Sequence, residues 1–258
     1  MKNTKAKIVN IYQLTSMQQG MLYHSIKDSD SGVYTEQTIL DIKGNLNIEL
    51  FEKTFNYLIE KHEIFRTAFI YNKLEEPKQV VLSERKIDVE VFELKTFTED
   101  QAERKFQEIL HKDKVKGFDI EKDTLLRLNI LVLSENRYKV IWSFHHMIMD
   151  GWCIGLLLKD ITNIYGSLIR GEEVNLGESY NYGSYIKWIQ KQNVDESLSY
   201  WKNYLEGIEK STVLMETDSK NTDYSYAEYD VDLDKDYIEK VKELSRKYDV
   251  TESTIFQT

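Results

Sequence analysis

The chain has 258 residues, room for one large domain or two lobes, and its 41% hydrophobic and 30% charged residues match a water-soluble globular protein. A net charge of −10, with lysines interleaved among Glu and Asp rather than gathered in runs, argues against a nucleic-acid backbone as ligand. Cys153 is the only cysteine, which excludes an internal disulfide and makes a zinc-thiolate cluster a poor fit. The opening MKNTKAKIVNIYQLTSMQQG lacks the apolar core of a secretion signal, and no apolar run approaches the roughly 18 residues of a membrane helix. The expectation is a cytoplasmic protein that binds neither nucleic acid nor membrane.

In chain order, LTSMQQGMLYHSI is the first helical candidate, with Leu14, Met17, Met21, Leu22 and Ile26 spaced for one apolar face. QTILDIK (37–43) reads as a strand closed by Gly44 and Asn45. An amphipathic helix opened by an Asn cap follows, carrying Ile48, Phe51, Phe55, Leu58 and Ile59. IFRTAFIY, KQVVLS and IDVEVFEL are rich in β-branched and aromatic residues and predict strands. At 98–101, TEDQ has the spacing of a capping box, and Ala102, Phe106, Ile109 and Leu110 give the helix it opens a buried stripe. LLRLNILVLS and RYKVIWSF predict an antiparallel pair around a short turn, with Val140, Trp142 and Phe144 on one face. CIGLLLKDITNIYGSLIRG is an amphipathic helix ended by Gly171. The polar stretch 171–184 marks a lobe boundary. Beyond it come helices at YIKWIQKQ and SLSYWKNYLEG, a strand at YAEYDVDL (226–233), and a helix at DKDYIEKVKELSRKY. The closing TESTIFQT opens a further helix that has no length to bury its face, as in a fragment.

SFHHMIMDGW (143–152) sets His145 and His146 side by side at a strand end. Adjacent strand residues point to opposite faces, so one faces the layer interior and the other an opening. His146 and Asp150 lie four apart, but no third ligand stands near them, so no metal is expected. Asp150-Gly151 is a turn dipeptide leading into the next helix. A carboxylate there can pair with a buried arginine and hold the loop, and a glycine leaves room for a substrate backbone. The plain alternative is a buried histidine followed by an ordinary helix cap. Trp152 and Cys153 read as core residues.

HHMIMDGW resembles the H-H-x-x-x-D-G motif shared by condensation domains of nonribosomal peptide synthetases and by chloramphenicol-acetyltransferase-like acyltransferases. LTSMQQGMLYHS (14–25) resembles the opening motif of those condensation domains. KHEIFRTAF (61–69) resembles their R-H-E-x-L-R-T-x-F, with Lys61 for the usual arginine and Phe65 for the usual leucine. YIKWI and SLSYWKNYLEG resemble the helices after the first lobe, so the likeness runs from Ile11 to the end of the chain. The resemblance implies an α/β fold, an α+β two-layer sandwich of the chloramphenicol-acetyltransferase type with helices packed on a mixed sheet. It implies an N-terminal lobe over 1–175 and the truncated start of a second lobe over 176–258.

For function, the resemblance implies amide formation. The amine of a carrier-bound acceptor aminoacyl thioester attacks a carrier-bound donor acyl or peptidyl thioester. His146 carries over as the catalytic histidine, and Gly151 as the residue that leaves room for the acceptor and offers its N–H. His145 carries over as a packing and hydrogen-bonding support. Asp150 carries over as structural, paired with Arg66 by preference or with Lys61. No cofactor is implied for this domain, because the substrates ride on phosphopantetheine of donor and acceptor peptidyl carrier protein domains, beside adjacent synthetase domains. The resemblance to a whole, two-lobed domain implies that this chain is inactive alone. An epimerisation domain, an acyl-coenzyme-A-dependent acyltransferase and a non-catalytic carrier-docking lobe share the fold. DGWCIG and MQQGMLYHS favour condensation over the first two, and the intact histidines with Asp150-Gly151 over the third.

Overall fold

Alternation along one strand organises the fold. In a computed structural model, which describes residues 6–27, 32–209, 229 and 231–258, β6 (Leu126–Ser134) and β7 (Arg137–His145) form an antiparallel hairpin. On β7, Val140, Trp142 and Phe144 are buried on one face, while Ile141, Ser143 and His145 are buried on the other. A strand buried on both faces must be central, and it is. β2 (Thr35–Lys43) pairs antiparallel with its free edge, and β5 (Asp88–Glu93) runs parallel to β6, giving the mixed order β2-β7-β6-β5.

The Trp142 face is covered by α2 (Ile48–Lys61) and α4 (Gly151–Ile169), with Phe55 edge-on to Trp142 at 5.4 Å between ring centroids. Burying such side chains contributes about 1.5–3 kcal/mol each, so this face supplies the larger part of the core. The opposite face carries α3 (Glu99–Lys116), whose Phe106 and Ile109 pack on Leu131 and Ile141. The mixed sheet with helices packed on it agrees with the sequence reading, and α3 adds a helical layer on the second face.

Local signals set the helix ends. Asn47 caps α2 by accepting from Leu50 N at 3.0 Å. Thr98 and Gln101 form the capping box that their spacing predicts. Gly171 (φ 69°) ends α4, with Glu172 N donating back to Ser167 O at 2.9 Å. A strand absent from the sequence reading, β1 (Ile8–Gln13), joins β4 (Lys78–Leu82) and β3 (Thr67–Ile70) in a second, antiparallel sheet of order β1-β4-β3. Its residues alternate only weakly between inside and outside, and Ile8 and Ile11 are exposed, which is why periodicity does not reveal it. Between these sheets in sequence lies α1 (Ser16–Lys27), of which Leu22 is buried but Met17 and Ile26 are exposed.

The chain forms two compact units, Met1–Ser197 and Leu198–Thr258. The first does not break at residue 175. Ser179 Oγ donates to Lys61 O at 2.8 Å, and Gln190 Nε2 to Gln13 Oε1 at 3.0 Å. On α5 (Tyr182–Ile189), Gly183 lies so close to the Tyr12 ring that any Cβ would collide with it. In sequence α6 (Val194–Tyr204) follows. In the second unit α7 (Lys235–Tyr248), capped by Asp234 on Tyr237 N, turns at left-handed Asp249 into α8 (Glu252–Gln257). Of the strand expected at 226–233, residues 226–228 and 230 lie outside the described residues, and Tyr229 and 231–233 form no strand.

Candidate active site

β7 ends at His145 because the next residues turn away. His145 N still donates to Leu125 O, His146 N to Tyr34 O at 2.8 Å, and Ile148 N back to His145 O. The two rings part as adjacent strand positions require. His145 goes to the α3 face, 2% exposed, while His146 is half-buried and borders a cleft of about 410 Å³. Met17, Met21, Met149, Cys153, Tyr182 and Tyr185 are among the residues lining this cleft, with polar Gln18 and Asp150 also on its wall.

Hydrogen-bond partners fix the tautomer of each ring. Met149 O can only accept, so His146 Nδ1, 2.9 Å away, carries a proton, and in the neutral ring it is Nε2 that keeps the lone pair. Among the described residues Nε2 has no hydrogen-bond partner. His145 is the reverse. Its Nδ1 accepts from Met147 N at 3.2 Å, and its Nε2–H faces Ser25 Oγ at 3.3 Å, whose own proton goes to Met21 O at 2.8 Å. Burial, and then the adjacent His146, lower the His145 pKa to about 4, so this ring is neutral at pH 7. Both of its ring nitrogens are engaged within the fold.

Asp150 corrects the sequence reading. Its Oδ1 accepts from Trp152 N at 3.0 Å and Cys153 N at 3.3 Å, which makes it the N-cap of α4 and leaves it exposed. Neither expected partner reaches it. Arg66 spends its guanidinium on the carbonyls of Ile59, Glu60 and Leu82 at the end of α2 and on β4. Lys61 pairs with Asp160 of α4 at 2.7 Å, and His62 Nε2 lies 3.4 Å from the same carboxylate. The tie between the 61–69 motif and the helix after the histidines therefore exists, but it runs through Asp160, further along the same helix. The physical reason is that an N-terminal carboxylate is already satisfied by the free amides of its own helix.

Gly151 opens α4, and a Cβ there would meet nothing within 4 Å. The fold therefore does not require a glycine at this position. Trp152, a core residue by the sequence reading, is instead 90% exposed. Burial raises the Cys153 pKa, and its Sγ–H faces Asp150 Oδ1 at 3.4 Å, so it is a protonated thiol and a weak nucleophile. No group of three His, Cys, Asp or Glu among the described residues is placed to hold a metal.

Residues that sequence reasoning passes over complete the site. Gln18 is buried and bonded to Met147 O, and the hydroxyl of Tyr182, its pKa pushed up to about 12 by burial, lies 3.3 Å from Gln18 Nε2. Thr15 and Gln18 form a second capping box, with Gln18 N donating to Thr15 Oγ1 and Thr15 N to Gln18 Oε1. Its T-x-x-Q spacing is readable in the sequence; the reach of Gln18 across to the histidine loop is not.

The family model described as Condensation domain matches residues 8–258. Bacitracin synthase 3 of Bacillus licheniformis is 36% identical over 256 residues, covering 98% of this chain and 4% of that protein. Bacitracin synthase 1 of the same organism is 33% identical over 258 residues, covering 99% of this chain and 5% of its own length. The solved starter condensation domain of rhizomide synthetase superimposes with a TM-score of 0.68 at 16% identity, over 76% of this chain and 50% of that one. A four-domain nonribosomal peptide synthetase bound to AMP and glycine gives 0.64 at 20% identity, over 80% of this chain and 16% of its own. The chain thus spans half the length of a solved condensation domain and a small part of whole synthetases, and it belongs to the condensation-domain family of nonribosomal peptide synthetases.

Proposed function

We propose that this chain supplies the histidine side of an amide-forming site. His146 Nε2 receives or holds the amine of an acceptor aminoacyl thioester as it attacks a donor thioester. The observation that carries the reading is the Met149 carbonyl on Nδ1, which leaves a lone pair on Nε2 at the edge of the cleft. An α-amine has a reference pKa of about 7.7–8.0, so a useful fraction is neutral near pH 7 and needs no strong base. On attack the nitrogen becomes cationic and the carbonyl oxygen anionic. A neutral imidazole within hydrogen-bond reach can take the surplus proton as the thiolate leaves and is reprotonated. Because His145 stays neutral beside it, no second positive charge opposes that transfer.

The donor and acceptor are proposed to arrive on the phosphopantetheine arms of carrier domains, beside the other domains of a synthetase. The membership of the relatives in multidomain synthetases supports this. No helix among the described residues is long and apolar enough to cross a membrane.

The test mixes donor- and acceptor-loaded carrier proteins with the chain, both alone and fused to the remaining half of the fold from a related synthetase. Amide product is expected from the fusion. In it, His146→Ala is expected to lower the rate by about 10²–10⁴-fold with unchanged melting. A rate left intact by His146→Ala removes this histidine from the chemistry.

A further inference from the structure

His146 can present Nε2 only if the loop behind it holds its backbone, and that loop, 146–150, has no regular structure of its own. Besides the His145 ring on Met147 N, a side chain from α1 grips it. Gln18 is 3% exposed, and its amide meets four segments. Oε1 accepts from Thr15 N at 3.0 Å and from Gln79 Nε2 at 3.2 Å, and Nε2 lies 3.2 Å from Met147 O and 3.3 Å from Tyr182 Oη. The amide cannot be flipped, because Thr15 N–H only donates and Met147 O only accepts. Gln79 is itself fully buried on β4 and anchored to Gln13 O at 2.7 Å, so the frame behind Gln18 is rigid.

A helix cap requires only the Oε1 end of this side chain. The Nε2 end does something the cap does not need. It holds the carbonyl of the residue immediately after His146 and, through Tyr182, joins α5 to the same point. We propose that Gln18 is a positioning residue for His146, setting the loop backbone so that Met149 O meets Nδ1 and Nε2 faces the cleft. The proposal rests on the reading of His146 given above, but its structural half can be tested without turnover.

Two variants separate the cap from the grip. Gln18→Glu keeps acceptor oxygens for Thr15 N, as a capping box allows, and loses the amide donors to Met147 O and Tyr182. Gln18→Met has similar bulk and loses both ends. With ¹⁵N-labelled histidine, the 258-residue chain is expected to show His146 as a single Nδ1–H tautomer. Both variants are expected to give a tautomer mixture there, while His62, held by Asp160, is unchanged. In the fused enzyme, Gln18→Glu is expected to lower kcat by about 100-fold, as a misplacement of about an ångström does, with KM for the loaded carriers unchanged. An unaltered His146 tautomer in the folded variants overturns the proposal. Loss of folding in both also overturns it, since Gln18 would then serve the fold alone. Should His146→Ala leave amide formation intact while Gln18→Glu shifts the tautomer, the chemistry assigned to His146 fails and the positioning link stands.

Discussion

Two polar clusters flank the end of β7, and they are built to opposite ends. On the α3 face, Asp113 is surrounded. Arg127 Nε lies 2.6 Å from Oδ1, with Asn129 Nδ2 at 2.8 Å, while Gln37 Nε2 and Ser143 Oγ serve Oδ2. Arg127 also donates to the carbonyls of Asp113 and Gly117 and lies over the Phe118 ring. Burial works against the charged form of Asp113, but Arg127, Ser143 and Gln37 together hold its carboxyl below the usual range. Beyond the same end of that strand, His146 has one ring nitrogen tied and one free toward a cleft. A buried polar group with every partner in place fixes structure. A group with one partner in place and one withheld is available for chemistry.

The largest effect is expected from breaking the closed cluster. Asp113→Asn leaves the Arg127 cation buried without its countercharge, at a cost of about 3–5 kcal/mol. The denaturant midpoint measures this, and a loss below about 1 kcal/mol, the scale of an exposed pair, would erase the contrast between the two clusters.

The next effect lies at the boundary between the clusters. His145 is held near 4 when folded, against about 6.5 for an unfolded histidine. Between those values the unfolded chain binds a proton that the folded chain refuses. The stabilising contribution of neutral His145 is therefore complete above about pH 6.5 and is lost as the pH falls toward 4, at up to about 1.4 kcal/mol per unit. His145→Asn keeps an acceptor for Met147 N and removes the titration. It is expected to shrink the difference in stability between pH 7 and pH 5 by about 2 kcal/mol in urea unfolding. An undiminished difference would show that other groups cause the acid sensitivity.

Asp150 gives the smallest change and the sharpest correction. As a cap it is worth about 1 kcal/mol, so Asp150→Ala is expected to lower stability by that amount, measured by thermal melting. A loss of about 3–5 kcal/mol would mean a buried pair with Arg66 or Lys61 after all.

Much of the site is legible in the residues alone. Periodicity locates β7 and α4 and hence the short turn at 146–150, and the parity rule separates the two histidines without knowledge of their surroundings. The motifs at 14–25, 61–69 and 145–151 carry the family resemblance, and the family match over 8–258 agrees with it. Where sequence misleads, it misleads on partners. Analogy assigns Asp150 to the nearest motif arginine, while the free amides at the start of α4, a few ångströms away, have the stronger claim. The sequence reading also puts Trp152 in the core, although at the start of α4 it stands exposed.

The sequence by itself determined most of the elements and several capped ends, because propensity, periodicity and capping act within a few residues of each other; β1, whose faces barely alternate, is the exception. It also determined which residue types stand at the end of the central strand. Tertiary structure alone decided which carbonyl meets His146 Nδ1, which carboxylate meets Lys61, and that Gln18 reaches Met147 across 129 positions of chain. Those choices depend on which buried donor and acceptor come within about 3 Å once the sheets and helices pack, a distance no local pattern encodes.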